Sequence, residues 1–295
     1  MRRNMKNLLT FKVTEDAQLI AFFMEKMHGI SRNRAKALIT NRVVLVDNII
    51  TTHPLAELKP GQVVQLDRSK HKMSFHSNSL DIVFEDPYLL VIDKRAGLLS
   101  MSNNTRQETV QTVLNRYLEK GGGRNTSHLV HRLDRDTSGL MVYAKDIKTQ
   151  QSLIEGWQYL VTDRRYVALV EGTLEEKEGR VQSWLTEDKR FITHSSPVDN
   201  GGKFAVTNYR VLQEGGGYSL VECELQTGRK NQIRVHMAQL GHPVVGDHKY
   251  GSSCDPMRRL GLHAYMLCFR HPVNGKYLRF ETPIPVNFEK CLDGK

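Results

Sequence analysis

The pattern of apolar and polar positions in the first seventy residues predicts a small unit of two helices and short strands. Apolar side chains recur at helical spacing on one face of the first helix, at Leu19, Phe22, Phe23 and Met27. Ser31 stands where an N-cap belongs, directly before a second helical pattern. Residues 43–50 predict a hairpin that turns at Asp47-Asn48, and residues 63–66 predict one more strand.

From residue 80 onward, longer apolar runs bounded by turn residues predict a larger sheet. The runs typical of strands lie at residues 82–84, 89–92, 140–143, 166–170 and 220–225. Helical patterns lie at residues 110–118 and 153–161. Because the strands outnumber the helices and do not alternate regularly with them, we predict an α+β fold with a mixed, largely antiparallel sheet rather than a Rossmann fold.

A polar stretch without apolar periodicity separates these two parts of the chain. We therefore predict a small α/β domain at residues 1–70, a linker at 71–79 and a larger domain at 80–295.

The charge balance points to a polyanionic partner. Lys and Arg number 42 against 32 Asp and Glu, a formal net charge of +10, in a chain whose 39% hydrophobic content is ordinary for a packed protein. Cations attract phosphates over long range, so a nucleic acid is a plausible partner. No stretch approaches the ~20 apolar residues needed to cross a bilayer, and no secretory apolar core follows the basic start. We expect neither a membrane-spanning nor a secreted protein.

Cysteine and histidine usage predicts neither a disulfide framework nor a metal site. The four cysteines are scattered without any CxxC pair, which indicates reduced thiols and a cytosolic location. His128 and His131 are spaced like zinc ligands, but no third ligand lies nearby in the sequence.

A doubly charged block, residues 131–136, interrupts two apolar segments. Arg132 and Arg135 could hold Asp134 or Asp136 ionised. An ionised, oriented carboxylate at the end of a strand is a candidate nucleophile or base. The residue types alone fit a surface ion-pair turn better than a catalytic site.

The first part of the chain resembles the S4 RNA-binding module over residues 14–68. The resemblance is carried by Ile30-Ser31-Arg32, which opens the second helix, and by Pro60-Gly61-Gln62-Val63 near the end, although Asn41-Arg42 stands where a glycine is usual. The resemblance implies RNA binding through the cations of the second helix and the residue after it, namely Arg32, Arg34, Lys36 and Arg42.

The second part resembles the RluA-type pseudouridine synthases over residues 80–288. His131-Arg132-Leu133-Asp134 followed by Thr137-Ser138-Gly139-Leu140 is similar to the motif of that family. Segments 93–98, 165–172 and 225–247 match further family motifs in the correct order, with Arg95 in place of a proline and Asn231 where a histidine is frequent. The implied fold is the pseudouridine synthase fold, with an S4-like domain ahead of it.

The resemblance implies isomerisation of uridine to pseudouridine in RNA, without a metal or cofactor. Asp134 corresponds to the essential aspartate, which starts glycosidic cleavage by attack on C1′ or by deprotonation of the sugar; both routes stay open. Arg234 corresponds to its charge partner, and Tyr166 to the tyrosine that stacks on uracil near the C5 proton. Arg132, His131 and Leu262 are the further predicted substrate-binding residues.

Arg229 and Lys230 are predicted phosphate contacts. They precede an apolar helical pattern, Ile233, Met237 and Leu240, so we expect them in the first turn of a helix. A helix N-terminus already favours phosphate.

Structured RNA is the expected partner. Large-subunit ribosomal RNA is the first expectation, transfer RNA is an open alternative, and we expect the protein to be a monomer.

Two other classes of protein are alternatives to a pseudouridine synthase. One is a non-catalytic RNA-binding ribosome-assembly factor. The other is a hydrolase using His131 and Asp134, although the sequence has no serine in a nucleophile elbow.

Overall fold

The computed structural model describes residues 8–40, 43–67, 75, 77–104, 106–120 and 126–294. Backbone contacts divide the chain into two compact units, each assembled from separate segments. The first unit comprises Met1–Asp93, Met101–His131 and Met141–Ile154, and the second comprises Lys94–Ser100, Arg132–Leu140 and Glu155–Lys295. The predicted domains 1–70 and 80–295 stay a prediction, and part of the predicted linker, residues 71–74 and 76, lies outside the described residues.

The first unit begins with the predicted helices and hairpin. Its elements are β1 Leu8–Lys12, β2 Ala17–Gln18, α1 Leu19–Lys26, α2 Arg32–Thr40, β3 Val44–Val46, β4 Ile49–Thr51, β5 Glu57–Leu58 and β6 Val63–Asp67. The hydroxyl of Ser31 accepts the N–H of Arg34 at 3.3 Å, which confirms its role as N-cap. Asp47 and Asn48 have φ of 49° and 67°, the geometry of a two-residue hairpin turn that matches strand twist.

The same unit continues with longer strands. These elements are β7 Leu80–Glu85, β8 Leu89–Lys94, α3 Val110–Lys120, β9 His128–Leu129, β10 Ser138–Ala144 and α4 Ile147–Glu155. The strand order is β1-β6-β3-β4-β7-β8-β10, with β9 beside β10. In it, β4 pairs antiparallel with β7 through Ile50↔Glu85 and Thr51↔Phe84. Strands from before residue 70 and from after residue 80 therefore share one sheet within this unit.

The second unit contains a mostly antiparallel sheet and most of the residues of the predicted motifs. Its elements are α5 Trp157–Leu160, β11 Val161–Glu171, β12 Glu178–Glu187, β13 Thr193–Ser196, β14 Lys203–Gly215, β15 Tyr218–Leu225, α6 Gln232–Gln239, β16 Leu262–Arg270, β17 Tyr277–Glu281 and α7 Val286–Leu292. Strands β16-β11-β15-β14-β12-β13 follow one another in antiparallel pairs. Only the start of β10 joins β16 in parallel, at Ser138↔His263 and Gly139↔Ala264, among the pairs within this unit that the structure describes. The predicted α+β class is confirmed.

Strand alternation assigns the two faces of this sheet to different helices. Ala168 and Val170 of β11 pack with Ile233 and Met237 of α6. Their sequence neighbours on β11 pack on the other face, against Phe288 of α7. Because side chains alternate along a strand, this register directs Tyr166 to the α6 face. None of the helices in the described part of the chain is long and apolar enough to span a bilayer.

Candidate active site

Most of the predicted catalytic and substrate-binding residues line one cavity of about 160 Å³ in the second unit. Its walls come from the loop before β10, from β11, from the segment between β15 and α6, and from the start of β16. The predicted residues that line it are Asp134, Tyr166, Arg234, Arg132, Arg229, Lys230 and Leu262.

The loop that carries Asp134 is fixed on both sides of that residue by the segment 94–100. The hydroxyl of Ser100 donates to the carbonyl of Leu133 at 2.8 Å and accepts the Leu133 N–H at 3.3 Å. On the other side, the carbonyl of Arg135 accepts the Gly97 N–H at 2.9 Å and the ammonium of Lys94 at 2.8 Å. A turn bonded on both flanks keeps the carboxylate between them in one position.

Lys94 is a buried cation whose ammonium donates hydrogen bonds to several backbone carbonyls. Its ammonium also donates to the carbonyls of Leu98 and Arg95, at 2.8 and 3.1 Å. A buried ammonium needs such partners because leaving a charge unpaired in the interior is costly. The upstream motif 93–98 thus has a structural explanation: it holds the loop of Asp134.

Arg234 reaches Asp134 from α6, but a second carboxylate holds it more closely. The Nη1 atom of Arg234 lies 3.5 Å from Oδ2 of Asp134. Its Nε and Nη2 atoms donate to the two oxygens of Asp247 at 2.6 and 2.7 Å, and Nη1 also donates to Oδ1 of Asn231 at 2.8 Å. The bidentate ion pair with Asp247 therefore fixes the orientation in which the guanidinium faces Asp134.

The charges around Arg234 keep it protonated. Burial lowers the pKa of Arg234, but hydrogen bonding and the charge of Asp247, followed by the charges of Asp134 and Tyr250, raise it overall. The guanidinium also lies 4.9 Å from the centre of the Tyr250 ring.

Asp247, Asn231 and Tyr250 are site residues to which the sequence assigned no role. Asn231 adopts left-handed geometry, with φ of 56°, as the N-cap of α6, and its Nδ2 atom donates to the Tyr250 hydroxyl at 3.0 Å. The same hydroxyl accepts the N–H of Thr193 at 3.0 Å. In the sequence, Asp247 is marked only by its position inside a segment that matches a family motif. Its distance from Arg234 along the chain fits neither a helical nor a strand period, so no local pattern predicts their contact.

Tyr166 and Leu262 form the aromatic and apolar walls. Burial raises the pKa of Tyr166 above its ordinary value of 10.0; the charge of Arg164 lowers it and that of Asp134 raises it. Leu262 is buried on β16, opposite Ala168 of β11. The phenol therefore stays neutral at physiological pH, and it lines the same cavity as Asp134 and Leu262.

Arg229 and Lys230 line the cavity but do not lie in a helical turn. Helix α6 begins at Gln232, because the left-handed Asn231 interrupts the helical backbone, so the expected position in its first turn is wrong. Arg229 donates through Nε to the carbonyl of Phe204 at 3.0 Å, and Lys230 pairs with Glu187 at 2.7 Å.

Arg132 and His131 differ in their surroundings. Arg132 is exposed at the cavity, and its side chain makes no hydrogen bond or ion pair with any residue that the structure describes. His131 belongs to the first unit, where its Nε2 accepts the N–H of Val142 at 3.2 Å. Arg32, Arg34 and Lys36 are exposed on α2 of the first unit, whereas Arg42 lies outside the described residues. These substrate- and RNA-binding roles stay predictions.

The arrangement is typical of an enzyme site for a planar ring that carries negative charge around it. One carboxylate faces a cavity with an aromatic wall, an apolar wall and a rim of cations. Such a site suits a planar base flanked by phosphates.

Comparison with known proteins identifies the family. Residues 88–239 match the model of the RNA pseudouridylate synthase family. The chain is 36% identical over 276 residues to ribosomal large subunit pseudouridine synthase D of Nitrosomonas europaea, covering 89% of this chain and 79% of the relative. It is 34% identical over 287 residues to the protein of that name from Salmonella typhimurium, covering 91% and 87%.

A solved structure agrees in fold. Human RNA pseudouridylate synthase domain containing 1 superposes with a TM-score of 0.61 at 25% identity, covering 74% of this chain and 90% of the human one. The chain belongs to the RNA pseudouridylate synthase family and is an isomerase. This confirms the resemblance of the second part of the chain and sets aside the hydrolase and the non-catalytic binding protein.

Proposed function

We propose that this enzyme converts uridine to pseudouridine in large-subunit ribosomal RNA, with Asp134 starting glycosidic cleavage. The observation that carries the proposal is that Asp134 faces the same cavity as Tyr166, Leu262 and Arg234. The substrate class is supported by the relatives from Nitrosomonas and Salmonella, whose names specify the large ribosomal subunit and whose similarity spans most of both chains. The net charge of +10 suits an RNA partner.

The reaction needs one carboxylate and a confined ring. The N1–C1′ bond breaks, the uracil turns, C5 bonds to C1′, and the proton on C5 leaves while N1 gains one, so the product is an isomer. Asp134 either attacks C1′, which gives an ester that C5 later displaces, or removes a sugar proton. In both routes a free carboxylate oxygen must reach the sugar.

The geometry around Asp134 suits that requirement. At 3.5 Å the contact with Arg234 is at the outer limit of a hydrogen bond, and the guanidinium is already shared with Asp247. Arg234 therefore keeps a positive charge beside Asp134 without occupying its oxygens tightly. We assign Arg234 to orienting the carboxylate and to balancing its charge.

Tyr166 and Leu262 are proposed to confine the uracil. A neutral phenol ring offers a stacking surface for a base and a hydroxyl near the C5 proton, and Leu262 packs against the opposite edge. The raised pKa of Tyr166 keeps the phenol uncharged while the base is bound.

RNA outside the cavity is proposed to bind to cations in both units. Arg132, Arg229 and Lys230 lie at the cavity, and the exposed α2 face carries Arg32, Arg34 and Lys36. We assign the first part of the chain to an S4-like RNA-binding module, in a monomeric cytosolic enzyme.

The test uses large-subunit ribosomal RNA tritiated at C5 of uracil, because only the isomerisation releases that tritium to water. We expect Asp134→Asn to lower turnover by at least about a thousandfold while RNA affinity changes less than twofold. The matched control is Asp136→Asn, which removes a nearby carboxylate that pairs with Arg135 and does not line the cavity. Release from transfer RNA alone would refute the ribosomal substrate, and residual turnover in Asp134→Asn would refute its role.

A further inference from the structure

The hairpin formed by β12 and β13 ends in a tight turn at residues 188–192. The N–H of Phe191 donates to the carbonyl of Asp188, and the N–H of Asp188 donates to the carbonyl of Ile192, both at 2.9 Å. Phe191 has φ of 60°, the left-handed conformation that closes such a three-residue loop and usually belongs to glycine. A bulky side chain in this conformation is an outlier, and such outliers cluster at functional sites.

The ring of Phe191 does not explain the turn. The side chain is 67% exposed, whereas the loop is held by the carboxylate of Asp188, which accepts the N–H groups of Arg190 and Ile192 at 2.8 and 2.9 Å. A glycine at position 191 would therefore suit the fold at least as well. The backbone of the turn therefore does not require a large ring at this position.

Several cations lie at this turn, and one of them lies over the exposed ring. The ammonium of Lys230, which lines the catalytic cavity, lies 5.3 Å from the ring centre. Lys249 donates to the carbonyl of Phe191 at 2.6 Å. The side chains of Lys189 and Arg190 are exposed and make no hydrogen bond or ion pair within the described part of the chain.

An exposed aromatic ring beside cations is the chemistry of a surface that binds unpaired RNA. When a uridine leaves its stack to enter a cavity, the neighbouring base loses a stacking partner. We propose that Phe191 is the platform on which a base next to the target uridine stacks, with Lys189 and Arg190 contacting the adjoining phosphates. The inference rests on the proposed function, since it assumes an RNA substrate in the cavity beside Lys230.

The key variant is Phe191→Gly, because it removes the ring and relieves the left-handed backbone at once. We expect the KM and Kd for large-subunit ribosomal RNA to rise about tenfold, the typical loss of one base–aromatic stack. We expect kcat to change less than twofold and the melting temperature not to fall. Phe191→Trp should keep Kd within twofold of the wild type, and Tyr159→Ala, which removes an 83% exposed ring elsewhere in the second unit, should leave Kd unchanged.

A second experiment identifies the base that stacks on Phe191. Two RNAs are compared, each with an abasic site on one side of the modified uridine. One of the two should bind the wild type about tenfold more weakly than intact RNA does. Phe191→Gly should bind that abasic RNA no more weakly than it binds intact RNA. Unchanged RNA affinity in Phe191→Gly would overturn the inference and point to a protein partner at this turn. A lower melting temperature would overturn it as well, since the ring would then be structural. If RNA binding depends on Phe191 but no tritium is released, the proposed function fails and the stacking platform stands.

Discussion

The guanidinium of Arg234 contacts the carboxylates of Asp134 and Asp247, and the more buried of the two, Asp247, fixes its position. The side chains of Arg234 and Asp247 are 14% and 1% exposed, so neither charge could be left unpaired without a large penalty. Asp247 contacts Arg234 and does not line the cavity. We therefore propose that Asp247 is a positioning residue, which would affect catalysis through the guanidinium of Arg234.

This arrangement predicts that Asp247→Asn lowers the free energy of unfolding by about 3 kcal/mol and reduces kcat much more than it raises KM. Urea denaturation and tritium release measure the two effects. Glu187→Gln, which breaks the exposed ion pair with Lys230, serves as control and should lose less than about 1 kcal/mol. The double variant Arg234→Met with Asp247→Leu should regain stability but not activity; regained activity would show that the pair is merely structural.

A second residue-scale prediction concerns the ionisation of Tyr166. Burial raises the pKa of this phenol above 10.0, and the charge of Asp134 adds to the rise. Above pH 10 the unfolded tyrosine releases its proton while the folded one retains it, so this residue's contribution to stability is lost as pH rises through its folded pKa. Asp134→Asn should lower the Tyr166 pKa, measured as tyrosinate absorbance against Tyr166→Phe. An unchanged titration would show that the two side chains do not interact.

At the scale of elements, the contact between β10 and β16 depends on a missing side chain. Gly139 has φ of 115°, and a Cβ atom there would lie 2.2 Å from the carbonyl oxygen of Ala264 on β16. This strand begins directly after the loop of Asp134. The backbone of β16 must approach that closely for the loop and Leu262 to line one cavity.

Gly139→Ala should therefore lower the free energy of unfolding by about 3 kcal/mol and reduce turnover. Gly201→Ala is the matched control, because Gly201 also has positive φ, at 79°, but faces open space. It should lose about 1 kcal/mol through backbone strain alone. Equal losses in the two variants, measured by urea denaturation, would contradict the close approach of the strands.

Helix α6 is tied to the sheet by a buried neutral histidine. The two ring nitrogens of His236 lie 3.1 Å from the Ser183 hydroxyl on β12 and 2.9 Å from the Thr207 hydroxyl on β14. Burial lowers the pKa of His236 from 6.5 to about 4. Arg234 lies on the same helix, so this anchor also sets the position of the guanidinium.

The lowered pKa predicts a specific acid sensitivity. Between pH 6.5 and about 4 the unfolded chain binds a proton at His236 that the folded chain does not, so stability falls as pH falls, by up to about 1.4 kcal/mol per pH unit. His236→Gln should flatten that slope, measured by urea denaturation at several pH values. His194→Gln, at an exposed histidine, is the control, and an equal slope in wild type and His236→Gln would contradict the prediction.

At the scale of the whole molecule, binding affinity is expected to come from cations spread over both units. The first part of the chain cannot simply be removed to test this, because β4 pairs with β7 inside the first unit. Substitution of the exposed α2 cations in the full chain is the appropriate experiment.

The triple variant Arg32→Ala, Arg34→Ala, Lys36→Ala should raise KM and reduce the slope of log Kd against log salt by roughly 2 to 3, because fewer counterions are displaced. Turnover at saturating RNA should be retained, since these contacts are shared by ground and transition states. A control variant, Lys12→Ala with Lys59→Ala, removes exposed cations outside α2. An unchanged salt slope in the triple variant would remove α2 from the RNA-binding surface.

The local elements and the contiguous motifs could be predicted from the sequence alone. Helical spacing, the Ser31 cap and the turn at Asp47-Asn48 depend on residues within a few positions of one another, and all are present in the structure. The helical pattern at 153–161 is present as two helices rather than one: α4 ends at Glu155, α5 spans Trp157–Leu160, and Val161 already belongs to β11. Apolar spacing over so short a stretch does not show where a helix breaks or where a strand begins.

How the site is held depends on the tertiary structure. Asp134 lies 100 residues before Arg234 in the chain, and the register of β10, β11 and β16 together with the docking of α6 brings these two residues to one cavity, where Asp247 holds Arg234 from behind. The exposure of Phe191 likewise follows from the hairpin that presents it. Local spacing reports backbone hydrogen bonding and burial over about ten residues, whereas these contacts depend on strand pairing and helix packing that no local period encodes.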